Sequence, residues 1–544
     1  MLEKMELLGN NDNQVFVNRK IYSPPKKKKN CCNNFFFRFL IIHTIIISII
    51  FIYDRFNFKK KNFIPTLKFN NSNNTTINNS YIIEIKNENR KKNNRSKGIN
   101  NDEYEVSKDN EDVFCEKFDP FKIIEDRFKE YPRDFCEAGT SNHICYRNLD
   151  YRFKKQFGLI CKMINVVIDP SKWESNEINY TMSSVGNKVK GLPLLSKGLF
   201  NINCESKNSR LFPYNSEMYD FYMNSWNYDY KSNEKYEELD PNKTVFFVSR
   251  NQDSQNIFFG GAEIINALGL MNYLNLRPEN IQVVFLDSML LNRDPSYIFY
   301  KNLISRGGEP IHIKNLTKKY HVSNAIHVPI MWDTPLTYKF NNIPTCKYQS
   351  KGYYYLNQYV NKYMNIPEFH DKINYDIETF YYSKTVKDPS SSIYTKFLTF
   401  QWRRQYPKGR KGQERILGNG PEIVEKLVEK LPKNILVRLV DTARFSMVEQ
   451  ISIIRKTDYF LGIHGAGLFL SAFMPTTSIL HEISTPKKTI NLLLVSNLSG
   501  HKTYSDILMA KTKTIDDCEY QFYDPDQVLS SVLNHMNETN FLNY

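Results

Sequence analysis

Several common catalytic signatures are missing from the 544 residues. There is no G-x-S-x-G to carry a serine nucleophile, no Walker A loop to cradle a triphosphate and no G-x-G-x-x-G to seat a dinucleotide. His481-Glu482-Ile483-Ser484-Thr485 begins like a zinc-protease helix, but Thr485 stands where the second His must be, and the stretch reads as a strand. A basic stripe on the folded part is lacking too. The formal charge is +15, yet residues 1–110 hold 20 Lys/Arg against 10 Asp/Glu, a net of +10, which leaves 53 against 48, a net of +5, for the rest. An excess confined to a tail argues against a nucleic-acid partner, which needs its positive charge on the folded surface. Asp524-Pro-Asp526 has the D-x-D form of a metal-dependent transferase site, but it follows the last α/β unit and reads as a chance match. No metal and no resident cofactor are expected.

The first 112 residues form a separate territory. Asn makes up about a fifth of residues 1–110, in runs such as 70–80, a composition that cannot bury enough apolar surface to offset ordering entropy. Residues 35–53, Phe-Phe-Phe-Arg through Phe-Ile-Tyr, are the exception. They are interrupted only by Arg38, His43, Thr44 and Ser48, and are long enough to cross a bilayer core of about 30 Å. No small-residue cleavage site follows, because Asp54, Arg55 and Phe56 come next, so the stretch reads as an uncleaved anchor. The flanking charges, Lys26–Lys29 against Arg55 and Lys59–Lys61, leave its orientation open. Two other features favour a body on the lumenal side. Sequons stand at Asn179, Asn242, Asn315, Asn497 and Asn537. Seven of nine cysteines follow the span, five of them between 115 and 204, as in a disulfide-stapled segment, and seven is odd, so one at least stays free or pairs between chains. Cys31 and Cys32, just before the span, are candidates for palmitoylation. The expected organisation is a cytosolic tail (1–34), a transmembrane signal anchor (35–53), a disordered stem (54–112) and a lumenal body, in a single-pass type II protein of the Golgi or ER membrane.

Within the body, strand-like and helix-like runs alternate. Residues 243–249, 281–287 and 325–330 read as strands, and 262–274 and 295–307 as helices. The pattern restarts with strands at 394–402, 434–440, 459–463 and 478–483. Helices are expected at 421–432, where Val424, Leu427, Val428 and Leu431 share a face, and after Ser446, whose spacing to Glu449 is that of a capping box. The alternation predicts parallel sheets with crossover helices, hence two α/β domains, 113–388 and 389–544, joined near the Ser- and Lys-rich 383–392.

A strand at 459–463 runs into His464-Gly465-Ala466-Gly467. Ligands of open α/β sheets bind at the carboxyl ends of strands. Glycines there admit a close backbone approach, and the following helix start offers N–H groups to a phosphate. A plain tight turn with an incidental histidine would look the same.

The longer stretch 458–483 resembles the signature of glycosyltransferase family 61, in which a strand enters HGAG and an apolar helix, a Phe/Met-Pro turn and a strand ending Glu-Ile follow. Gln450, Arg403 or Arg404, Arg415-Ile416-Leu417-Gly418-Asn419 and the Gly500…Tyr504 pair fit the same pattern. Residues 394–510 carry the resemblance well and 243–290 weakly, through Asn256 and the strand ending at Asp287, whereas 113–240 show no convincing match. The resemblance implies a GT-B-like fold of two facing Rossmann-type domains. It also implies inverting, metal-independent transfer of a sugar, xylose or N-acetylglucosamine, from a UDP-sugar to a glycan or glycoprotein acceptor. Arg403, Arg404, Arg415, His464, Gly465, Ala466 and Gly467 would hold the diphosphate, and Glu482 the ribose. His464 and Arg415 would also act in catalysis, with Glu263 or Asp253 as the base. Phe259 departs from the family, which has a histidine there. A catalytically inactive binding protein and a cell-surface adhesin are therefore the competing readings.

Overall fold

Two groups of apolar strands organise the body, and most of their residues are buried on both faces, as parallel strands covered by helices require. The structure is a computed structural model. It describes residues 104–105 and most of 115–543; residues 117, 130, 131 and 347 and the stretches 149–156, 175–193, 207–224, 251–255, 288–294, 329–339, 342–345, 406–414 and 485–491 fall outside the description. The expected tail, the anchor 35–53 and nearly all of the stem also lie outside the described residues. No helix among the described residues is long and apolar enough to cross a membrane.

In chain order, α1 (Pro120–Lys129) precedes three strands, β1 (Asn142–Asn148), β2 (Phe157–Ile168) and β3 (Phe200–Ile202). Then come β4 (Thr244–Val248), α2 (Ile257–Tyr273), β5 (Ile281–Phe285), β6 (Ile311–His312) and β7 (Tyr320–Val328). The last four strands are parallel and lie in the order β6-β5-β4-β7. β7 pairs antiparallel with one edge of β2, and β1 and β3 pair, also antiparallel, with successive stretches of its other edge. The parallel half was legible as alternating strands and helices. The antiparallel extension occupies the region in which no family pattern was visible.

After α3 (Lys351–Tyr363), a second sheet begins with β8 (Phe380–Tyr382) and β9 (Lys396–Gln401). It continues through α4 (Gly420–Lys430), β10 (Ile435–Val440), α5 (Met447–Arg455) and β11 (Tyr459–Ile463). A 3-10 helix (Ala466–Phe473), β12 (Ile479–Ser484), α6 (Leu492–Leu498), β13 (Lys502–Ile507) and α7 (Pro525–Glu538) complete it. The order is β8-β10-β9-β11-β12-β13, all parallel except the edge strand β8. This sheet therefore draws on the chain from residue 380, ahead of the boundary expected at 389. The Ser/Lys-rich stretch does not hang free: Ser383 Oγ donates to Glu425 Oε2 on α4 at 2.6 Å, and Lys384 N to Glu425 Oε1 at 3.1 Å.

Local signals account for the helix starts. Asn256 accepts a hydrogen bond from Phe258 N at 3.2 Å, so α2 begins at Ile257, five residues before the apolar periodicity suggested. Ser446 and Glu449 form the expected capping box of α5. The segment after Gly465 is a 3-10 helix, tighter than an α-helix. Helices belonging to both sheets share one apolar core, in which Phe258 and Ile265 of α2 join Leu356 of α3, Ile451 of α5 and Phe469 of the 3-10 helix. Six of the seven cysteines pair, as Cys115–Cys346, Cys136–Cys204 and Cys145–Cys161, and Cys518 is free and buried.

Candidate active site

Numbered along the chain from β9, the parallel strands of the second sheet have the order 2-1-3-4-5. In such sheets a crevice opens where the order reverses, between the first strand and the third, at their carboxyl ends. Here those strands are β9 and β11. The residues that follow them are Trp402-Arg403-Arg404 and His464-Gly465-Ala466-Gly467, so the topology brings the basic residues and the glycine turn to one place.

Packing at the turn is close enough to explain its glycines. A Cβ on Gly465 would lie 2.2 Å from Arg403 Nη1, and one on Gly467 would lie 1.8 Å from Gln401 Nε2. Arg403 thus presses its guanidinium onto the turn. The side-chain amide of Gln401, which donates to Thr442 Oγ1 at 3.0 Å, supports the turn from below. Gln401 was not singled out from the sequence; its place at the end of the first parallel strand was the available signal.

Arg415 reaches the same turn from the β9–α4 connection. Its Nη1 donates to the His464 carbonyl at 2.9 Å. Its Nε is buried and has no hydrogen-bond partner among the described residues. Its backbone has a φ of 62°, in the left-handed region that a non-glycine residue adopts at a cost of about 1–3 kcal/mol. The rest of that motif serves packing instead. Asn419 Nδ2 donates to the Tyr523 carbonyl at 2.7 Å and its Oδ1 accepts from Tyr523 N at 3.1 Å, fixing the entry of α4 to the chain before α7.

His464 is buried, and its main-chain N–H donates to the Ile483 carbonyl at 2.9 Å. Its Nδ1 is hydrogen-bonded to Glu482 Oε1 on β12. Glu482 is fully buried, and its Oε2 accepts from Ser505 Oγ at 3.0 Å. Ser505, on β13, was also not anticipated. Arg404 turns away from the glycine turn: its guanidinium lies 4.6 Å from the Trp402 ring centre, and Nη1 donates to the Glu378 carbonyl. Gln450 caps locally, donating to the Phe445 carbonyl at 2.9 Å.

The weakly matching region packs directly on the turn's helix. A Cβ on Gly261 of α2 would lie 2.1 Å from Phe469 Cζ, and the rings of Phe258 and Phe469 stand edge to face at 6.4 Å. Glu263 lies on α2 and is 2% exposed, while Asp253 is outside the described residues. At the carboxyl ends of β4 and β5, Arg250 and Asp287 form a buried pair, with Nη2–Oδ1 at 2.7 Å and Nε–Oδ2 at 3.0 Å. The Arg250 guanidinium also lies 4.0 Å from the Phe285 ring centre.

The profile of Glycosyltransferase 61 matches residues 196–480, over half of the chain. This protein belongs to glycosyltransferase family 61. The glycosyltransferase match begins well upstream of 243, taking in β3 and the chain up to β4, where no resemblance was visible in the sequence. It includes Glu263, Arg403, Arg404, Arg415 and the HGAG turn, and it stops two residues before Glu482. Among curated proteins no sequence matches the chain. As a member of the family the chain is a glycosyltransferase, an enzyme class that takes a nucleotide sugar as donor and a glycan as acceptor.

Proposed function

We propose that this glycosyltransferase moves a single sugar, xylose or N-acetylglucosamine, from a UDP-sugar to a hydroxyl of a glycan or glycoprotein. The transfer inverts the anomeric centre and uses no catalytic metal, and the two sheets serve as the donor and acceptor halves of a GT-B-like enzyme. One observation carries the reading. At the switch point of the second sheet, Arg403, Arg415 and the HGAG turn converge, and Arg415 brings a buried N–H with no partner among the described residues.

In the reaction the acceptor oxygen attacks the anomeric carbon as the bond to the diphosphate oxygen breaks. Negative charge builds on the leaving phosphate, and donors already fixed in a dry site stabilise it best. Arg403 and Arg415 supply guanidinium donors of the kind that match phosphate oxygens. Glu482 holds the His464 ring through Nδ1, and an imidazolium there would add Nε2–H as a further donor to the phosphate. Glu482, with both oxygens engaged, then acts through His464, and the ribose falls to other groups. The acceptor proton goes to a carboxylate of the first half, for which Glu263 is the candidate within the described residues. Three disulfides suit an oxidising compartment, in keeping with a lumenal body anchored in the Golgi or ER membrane by residues 35–53.

The decisive experiment is a calorimetric screen of UDP- and GDP-sugars against the full chain in detergent, followed by turnover with excess EDTA. Binding of a UDP-sugar and chelator-resistant transfer are expected. No affinity for any nucleotide sugar would overturn the reading, and activity lost to brief chelation and restored by manganese would point to metal-assisted departure of the phosphate.

A further inference from the structure

On the opposite side of β12 from Glu482, three ligand-type side chains converge. His481 of β12, Asp506 of β13 and His535 of α7 present Nε2, Oδ2 and Nε2, all within 4.8 Å of one another. Both imidazoles aim at one carboxylate oxygen, His481 Nε2 at 3.2 Å and His535 Nε2 at 2.8 Å, and their ring centres are 4.9 Å apart. We propose that these three residues bind a divalent transition metal ion of the zinc class, holding α7 to the back of the donor-binding sheet. The proposal is independent of the reaction, because Glu482 and His481, neighbours on a strand, face opposite ways.

Three features support a metal centre over a plain hydrogen-bond network. The first is the chemistry of the set: two imidazoles and a carboxylate are common partners of zinc, with a fourth position left for water or Ser531 Oγ, which lies 3.1 Å from His481 Nε2 and also bonds Asp506 Oδ2. The second is spacing. Ligands at about 2.0–2.1 Å in a tetrahedron stand about 3.3 Å apart. The two nitrogen–oxygen separations fall within about half an ångström of that, and the two nitrogens lie within 4.8 Å of each other, so closing on an ion asks the histidines to approach by about 1.5 Å at most. The third is the outer arrangement. His481 Nδ1 is 2.9 Å from Tyr459 OH, and His535 Nδ1 is 3.4 Å from Glu538 Oε2. A ligating histidine is oriented in this way, with its far nitrogen tied to a polar partner and the near one aimed at the metal. Tyr504, stacked on His535 at 3.9 Å, fixes that ring further. The other such group among the described residues, His143 with Cys145 and Cys161, offers no thiolate, because its sulfurs form a disulfide.

The test is metal content and thermal unfolding of the full chain in detergent, for the native protein, His535→Ala and Asp506→Asn. The side-chain amide introduced by Asp506→Asn retains a carbonyl that can accept from the histidines and Ser531, but it is a poor zinc ligand, so this variant separates the metal from the network. The native chain, purified with zinc present and dialysed free of excess, should retain about one zinc ion per chain and lose several degrees of Tm on chelation. Both variants should lack the ion and show a Tm indifferent to chelator. Zinc content in the native chain no higher than in Asp506→Asn, with no change of Tm on adding or removing zinc, would overturn the site. Neither readout involves sugar transfer, so the outcome is separate from that of the proposed reaction.

Discussion

At the residue scale the site has a division of labour that can be measured. Replacing His464 or Arg415 by Ala should lower turnover about a hundredfold or more, the usual scale for losing one preorganised donor, with circular dichroism unchanged. Turnover within a few fold of native in both variants would remove them from the charge-stabilising set. That these residues belong together could be read from the sequence only through the longer stretch around the HGAG turn and the recognisable run that carries Arg415, since the turn alone has a plain structural reading. Other parts could not. Gln401 and Ser505 matter through what they touch, Thr442 and the glycine turn for one and Glu482 for the other. Those contacts join residues far apart in the chain, and no local pattern encodes them. The difference between Arg403 and Arg404 was equally hidden: adjacent residues leave a strand end in different directions, and only packing on Gly465 or Trp402 decides which one meets the turn.

Among elements, the parallel strands were the most legible, because strands buried on both faces spell continuous Val/Ile/Leu/Phe runs. β11 occurs at 459–463, as expected. The antiparallel strands β1 and β3 were not legible, because β1 mixes polar and apolar residues and β3 is only three residues long, whereas β2, apolar but for Gly158, Lys162 and Asn165, carried a strand signal that was missed; the stability of all three rests partly on covalent links. Cys145–Cys161 joins β1 to β2, and Cys136–Cys204 ties the short strand before β1 to the chain just after β3. The third link, Cys115–Cys346, closes a loop with a sequence separation of 231 residues, joining the residues ahead of α1 to those ahead of α3. Removing it in a Cys115→Ser/Cys346→Ser double variant should cost about 2–5 kcal/mol, read as a lower denaturation midpoint with sugar transfer retained at low temperature. An unchanged midpoint would mean that the native contacts of α1 hold this corner alone.

The whole molecule carries its own titration and topology. Burial pushes the His143 imidazole down to about 3, and those of His312 and His501 down to about 4, from an unfolded value of 6.5. The folded chain keeps these rings neutral where the unfolded chain binds protons. Their stabilising effect is therefore complete above about pH 6.5 and is lost as the pH falls toward about 4, on the order of 1–2 kcal/mol per histidine by pH 5. Urea midpoints at pH 7.5 and 5 should show the fall; equal midpoints would mean that these rings stay solvated. Topology gives a second whole-chain test. Asn242, Asn315 and Asn537 are exposed and Asn179 lies outside the described residues, whereas Asn497 is fully buried and accepts a hydrogen bond from Thr503, so a lumenal body should carry glycans at some of the first four and none at 497. Glycopeptide mapping with protease protection in intact microsomes would show this, and an unglycosylated, protease-sensitive body would place the enzyme in the cytosol. The contact of Phe469 with Gly261 also bears on turnover. Rigid-body swinging of the two sheets would have to draw that ring out of its slot into water, at about 2–3 kcal/mol for a full side chain. Such an open form would be populated at the level of a few per cent or less. Were release of the spent nucleotide to need such an opening, its rate would follow the size of residue 261 or 469, with the chemistry untouched.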